Sequence, residues 1–212
     1  MLKGVIFDFD GVIVDTESKK FAEIRKILKA HGYSLRKKDF SKFIGKKTEF
    51  FIKENFPNIK KKVLRDTLNK RKKMQYANLK KNELIAGVRN LLDYLKSRKY
   101  KIAITTGSKK DFVKKILKFN GLQHYFDVII TGEDFTSSKP NPECYNITLR
   151  RMNSNARDII VIEDSAAGIK SAKKTGATVF ALSTYLRKKN LMGADKQFKT
   201  HLEILRYLKR LN

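Results

Sequence analysis

The chain has 212 residues, 41% of them hydrophobic, which suffices for one large α/β domain or a domain carrying an insertion. No apolar stretch approaches the ~20 residues of a membrane helix, the N-terminus has strand chemistry rather than that of a cleavable signal, and the lone Cys144 can form neither an intramolecular disulfide nor a zinc cluster, so the expectation is a soluble, cytoplasmic protein with a bland, at least half-buried thiol. The formal charge of +27 would attract polyanions, but lysine outnumbers arginine about threefold and is spread over nearly every helical segment, which reads as a solvated surface and predicts no specific nucleic-acid site.

The chain opens on "LKGVIFDFDG", where Val5, Ile6 and Phe7 run into Asp8, Asp10 and Gly11. A continuous apolar run ending at a glycine-permitted turn predicts an interior strand whose carboxyl end carries both acids. Next, "ESKKFAEIRKILKAHG" sets Phe21, Ile24, Ile27 and Leu28 at helical spacing. Two further helical patterns, "TEFFIKENF" and "KKVLRDTLNKRKKMQYANL", flank Pro57, and no strand pattern precedes about Leu84. Beyond that point strands alternate with helices: "GVRNLLDYLKSRK" as helix, "YKIAITTGS" as strand, "KKDFVKKILKFNG" as helix, "FDVIITG" as strand, "NPECYNITLRRM" as helix, "DIIVIED" as strand, "AAGIKSAKKTG" as helix and "ATVFALS" as strand. A weak stretch then leads to a closing helix, "HLEILRYLKRL".

Alternation of this kind predicts a parallel sheet covered by helices on both faces. The opening strand has nothing else to pair with and must join that sheet, which makes the helical block an insertion. The expected architecture is therefore α/β, a Rossmann-like parallel-sheet core formed by residues 1–15 and 83–212, with an inserted α-helical cap over 16–82.

Polar residues recur at the predicted strand ends. Asp8 and Asp10 follow the first strand, Thr106 and Ser108 the second, Lys139 comes after the third in "SSKPNP", and Glu163, Asp164 and Ser165 follow the fourth. Carboxylates, hydroxyls and a lysine gathered at one sheet edge form an inventory for phosphoryl transfer with a hard-metal site. His31, His124 and His201 lack metal-ligand spacing and are expected at the surface or at helix ends.

In order and spacing, "DFDGVIVD", "TTGS", "SKPNPE" and "VIEDSAAG" resemble the four motifs of the haloacid dehalogenase superfamily, over the whole chain. The opening "DGVIVDTE" and the helical insertion after it are similar to the β-phosphoglucomutase-like branch of small-molecule phosphatases and mutases. The resemblance implies a Mg²⁺-dependent phosphoric monoester hydrolase in which Asp8 is the nucleophile that becomes an aspartyl-phosphate and Asp10 is the general acid and base. It implies further that Thr106, Gly107, Ser108 and Lys139 bind the transferring phosphoryl group, and that Asp8, Asp10 through its carbonyl, Glu163 and Asp164 hold the metal. Asp15 reads as a hinge or hydrogen-bonding residue, and Gly11 and Gly168 as backbone requirements.

Mutase-like members carry a histidine five residues after the acid of "DGVxxD", where this chain has Lys20, and an arginine three residues after the cap glycine, where Thr48 follows Gly45. Lys72 in "KRKKMQY" stands in the place of the mutase cap's phosphate-contacting lysine, but a solvated lysine face fits it equally. A phosphatase acting on a small phosphorylated metabolite is thus the leading expectation, as a monomer without membrane association. A sugar-phosphate mutase is the alternative, and a basic nucleic-acid-binding protein or nucleic-acid-end phosphatase on the same scaffold is the third reading.

Overall fold

The computed structural model describes residues 2–44, 48–77, 84–185 and 190–211, with 41, 72 and 74–77 described by their backbone alone. Two compact units result, one of Met1–Val14 with Glu83–Asn212 and one of Asp15–Asn82.

The first unit is built on six parallel strands: β1 (Gly4–Phe7), β2 (Lys101–Thr105), β3 (Val128–Ile130), β4 (Ile159–Glu163), β5 (Thr178–Leu182) and β6 (Lys196–Phe198), in the spatial order β3-β2-β1-β4-β5-β6. The chain's first strand lies between β2 and β4, which is why Val5, Ile6 and Phe7 read as a continuous apolar run: both faces and both edges are covered. Phe7 pairs with Ile104 on one side and Ile162 on the other, so the residues that follow all three strands leave the sheet at the same level. Helices α5 (Val88–Ser97), α6 (Lys110–Phe119), α7 (Glu143–Arg151), α8 (Ala166–Lys173) and α9 (His201–Leu211) complete this unit. Each turns a narrow apolar stripe inward, as with Val88, Leu91, Leu92 and Leu95 of α5 and Phe112, Val113, Ile116 and Leu117 of α6, all buried at i, i+3, i+4 spacing.

Strand β6 was absent from the expected elements. It is three residues long, Lys-Gln-Phe, at the sheet edge, and a polar edge strand carries no apolar signal. His201 begins α9 as a helix-end residue, but it is completely buried rather than at the surface. Cys144 is buried too, its Sγ 4.0 Å from Ser171 Oγ.

The second unit comprises α1 (Glu17–Ala30), α2 (Phe40–Phe43), α3 (Thr48–Asn55) and α4 (Lys61–Ala77), and it has a core of its own. Phe21, Phe43 and Phe51 form a mutually packed trio with ring centroids 5.1–6.1 Å apart. Each buried ring contributes about 2 kcal/mol of transfer free energy, so Phe43→Ala would cost about 3 kcal/mol through the cavity it leaves. Asp15 Oδ1 accepts a hydrogen bond from the Ser18 N–H at 3.1 Å, which satisfies a first-turn donor of α1 that Thr16, at the cap position, does not. Short α2 was not foreseen, since four residues are too few to show a period. Among the described residues no helix is long and apolar enough to cross a membrane.

Candidate active site

The loops after β1, β2 and β4 and the segment before α7 bring the predicted residues together. Asp8, the first residue past β1, is 8% exposed, and its N–H still donates to the Ile162 carbonyl at 2.9 Å, so its backbone is fixed by the sheet. The Lys139 ammonium donates to Asp8 Oδ1 at 2.6 Å, to Glu163 Oε1 at 2.7 Å and to the Thr105 carbonyl at 3.4 Å. Lys139 reaches this position from a segment tied down by carboxylates and amides: Glu143 accepts from the N–H groups of Thr136 and Ser137, and Asn141 Oδ1 accepts from the Glu143 N–H.

Two residues beyond Asp8, the Asp10 carboxylate accepts from Ser108 Oγ at 2.6 Å and from Thr106 Oγ1 at 3.4 Å. Thr106 Oγ1 in turn accepts from the Ser108 N–H at 3.0 Å, which folds this loop tightly ahead of α6. At Gly107 an added Cβ would meet nothing within 4 Å, so the loop backbone there borders open space. Two other glycines are steric requirements. Gly11 has φ +83°, and a Cβ would lie 2.0 Å from Asp164 Oδ2; at Gly168 it would lie 1.8 Å from Glu163 Oε1.

Glu163, the last residue of β4, is 1% exposed and is held at both oxygens. Oε1 accepts from Lys139 and from the Tyr145 hydroxyl, each at 2.7 Å; Oε2 accepts from the Asp164 N–H, the Ser165 N–H and Ser165 Oγ. Ser165 Oγ also caps α8 by accepting from the Gly168 N–H at 3.0 Å. Carboxylate oxygens of Asp8, Glu163 and Asp164 all lie within 4.8 Å of one another, close enough to share one cation.

The electrostatics follow from burial and crowding. Burial pushes the Asp8 carboxyl up to about 7; Lys139 opposes that rise, while the neighbouring Glu163 and Asp10 add to it. For Lys139 burial acts downward, but Asp8 and Glu163 outweigh it and hold the ammonium well above its ordinary value. Burial, with Glu163 alongside, pushes the Tyr145 hydroxyl up and keeps it a donor.

Sequence reasoning missed Tyr145 as part of this cluster. Tyr145 lies in an apolar helix pattern, and a buried tyrosine there is indistinguishable in sequence from a packing residue. Ser165 is expected at the end of the fourth strand, and the fold adds that its hydroxyl holds Glu163 Oε2.

Residues 5–182 match the family model of the haloacid dehalogenase-like hydrolases. The chain belongs to this family. Among its relatives the haloacid dehalogenase-like chain is 30% identical to the phosphorylated carbohydrates phosphatase of Thermotoga maritima, over 82% of each chain. It is 26% identical to the phosphoglycolate phosphatase of Aquifex aeolicus, over 88% of this chain and 87% of that one. In fold it resembles the β-phosphoglucomutase of Clostridium difficile, with TM-score 0.74 and 22% identity over 99% and 96% of the two chains. As a haloacid dehalogenase-like hydrolase with phosphatases among its relatives, the protein is a phosphoric monoester hydrolase.

Proposed function

We propose that the protein hydrolyses a small phosphate monoester in two displacements, with Asp8 as nucleophile. The observation that carries this reading is the pairing of a buried Asp8 with Lys139 at 2.6 Å beside a second carboxylate, Asp10, that hydroxyl groups hold in place. An Asp8 oxygen attacks phosphorus as the bond to the ester oxygen breaks, and Asp10 delivers its proton to that leaving oxygen. Asp10 then takes a proton from water, whose oxygen attacks the aspartyl-phosphate; inorganic phosphate departs and the Asp8 carboxylate is restored. Throughout, Lys139 offsets the charge on Asp8 and on the phosphoryl oxygens; the Gly107 N–H, and the Thr106 and Ser108 hydroxyls once turned from Asp10, supply hydrogen-bond donors to those oxygens.

The residues fit Mg²⁺. Clustered oxygen donors suit a hard cation, and an Asp8 carboxyl pushed to about 7 by burial, with Glu163 and Asp10 adding to the rise, is a group that a cation would help to ionise. Asp8, Asp164 and the Asp10 carbonyl would hold the ion directly, with Glu163, whose oxygens serve five protein donors, behind them. When bound, Mg²⁺ supplies charge that offsets the carboxylates and lets an anionic phosphate approach.

The helical unit leaves the core at Asp15, five residues after Asp10, and is proposed as the cap that selects the substrate. Within it Lys20 is ion-paired with Glu17 at 2.7 Å and Thr48 begins α3, so neither residue reproduces the mutase-type histidine and arginine. Gly45 lies outside the described residues, as does the side chain of Lys72. A hydrolase therefore stands ahead of a mutase, and a phosphorylated sugar or short phosphorylated acid is the expected substrate class, in keeping with the named relatives.

Phosphate release from a panel of sugar phosphates, phosphoglycolate and nucleotides in the presence of Mg²⁺ tests the reading. Asp8→Asn should lower release by on the order of 10³-fold or more with an unchanged circular dichroism spectrum. Near-normal release by the folded variant would overturn it. With β-glucose 1-phosphate and a glucose 1,6-bisphosphate primer, the product should be inorganic phosphate, with little glucose 6-phosphate.

A further inference from the structure

Lys139 stands between two carboxylates, and its distance from Asp8 depends on how strongly Glu163 pulls the other way. The ammonium has three N–H groups, and three acceptors surround it: Asp8 Oδ1 at 2.6 Å, Glu163 Oε1 at 2.7 Å and the more distant Thr105 carbonyl. The fourth side is closed by the ring of Tyr145, whose centroid is 4.9 Å from Nζ.

Tyr145 is completely buried and packs among Ile6, Ala103 and Val161 on one face of the sheet. Packing alone has no use for its hydroxyl, since phenylalanine fills the same space and avoids burying a polar group. The hydroxyl instead donates to the same Glu163 oxygen that accepts from Lys139. We propose that Tyr145 is a positioning residue for Lys139: its hydroxyl satisfies part of Glu163 Oε1 and its ring blocks retreat, so the ammonium is held against Asp8. Deprived of that hydroxyl, Oε1 keeps Lys139 as its side-chain donor among the described residues, and the ammonium is drawn toward Glu163 and away from the position of the reacting group. With Glu163 1% exposed and Tyr145 fully buried, solvent has little access to make the shift good.

The proposal rests on the role given to Lys139 above, and two measurements on Tyr145→Phe separate the two ideas. This variant keeps the ring and the shape of the core, so the protein folds. With a cleaved ester and saturating Mg²⁺, kcat should fall about tenfold while KM changes less than twofold, because the lost hydroxyl never touches substrate. A structural role alone would leave kcat unchanged at temperatures well below the melting transition. Independently of any substrate, the ¹⁵N-labelled Lys139 ammonium, assigned by its loss in Lys139→Arg, should give a slowly exchanging signal in the wild type that moves and broadens in Tyr145→Phe. An unaltered Lys139 signal overturns the proposal whatever the rate does, and so does an unaltered kcat. If the wild type releases phosphate from no ester, the phosphatase reading fails by itself, and the ammonium signal still decides the role of Tyr145.

Discussion

Lys139 Nζ lies 2.6 Å from Asp8 Oδ1 although 131 residues separate the two in sequence. Both side chains are largely shielded from water, at 14% and 11% exposure, so neither charge is well solvated without the other. Lys139→Met should therefore reduce phosphate release by roughly 10²–10³-fold. It should also destabilise the metal-free protein by about 3 kcal/mol, because Asp8 and Glu163 then face each other without a cation. Kinetics and urea unfolding with and without Mg²⁺ check both effects, and added Mg²⁺ should recover part of the stability but little of the rate. A variant as stable and as active as the wild type would mean that this pair serves neither purpose.

The raised Asp8 carboxyl would make the proposed Mg²⁺ binding depend on pH. In the folded protein burial pushes it to about 7, with Glu163 and Asp10 adding to the rise against Lys139, so below that pH the group carries a proton that a cation must displace. Mg²⁺ affinity should weaken by about tenfold per pH unit below 7 and level off above it. Calorimetric titration at a series of pH values, with a matched series for Asp8→Asn, measures this directly. A flat profile for the wild type would show that Asp8 does not take part in binding.

His201 should make the fold sensitive to acid. Burial at the start of α9 lowers its imidazole from the ordinary 6.5 to about 4. An unfolded chain takes up a proton at this site once the pH falls below 6.5, whereas the folded protein does not until about 4, so stability is lost on acidification through that window. The loss attributable to this one residue is ~3 kcal/mol. Replacing it by phenylalanine should flatten the dependence of the unfolding free energy between those two values, as read from urea titrations. An equally steep loss in His201→Phe would assign the acid sensitivity to other groups.

Much of this molecule was already legible in its residues. The apolar run Val5–Ile6–Phe7 announced a strand covered on both faces, and it is the strand that β2 and β4 enclose. The long helices showed themselves by period, since a stripe such as Leu91, Leu92 and Leu95 can be buried in only one way. Asp8, Asp10 and Thr106 could be picked out because polar residues at the ends of apolar strands have no packing reason to be there, and Lys139 by its place in "SKPNPE". β6 escaped notice because edge strands need no apolar face, and α2 because four residues make barely one turn and show no period. The interior of the cluster was hidden for a different reason. Whether Tyr145 is a packing residue or a donor to Glu163, and whether His201 meets water or is sealed at the start of α9, depends on which side chains from distant segments arrive beside it. Sequence determines the kinds of groups and the strand ends that carry them, through local periodicity and turn chemistry. Only the tertiary structure decides how close the charges stand and how much water they keep, and at these distances and burials those two quantities set the strength of every interaction in the site.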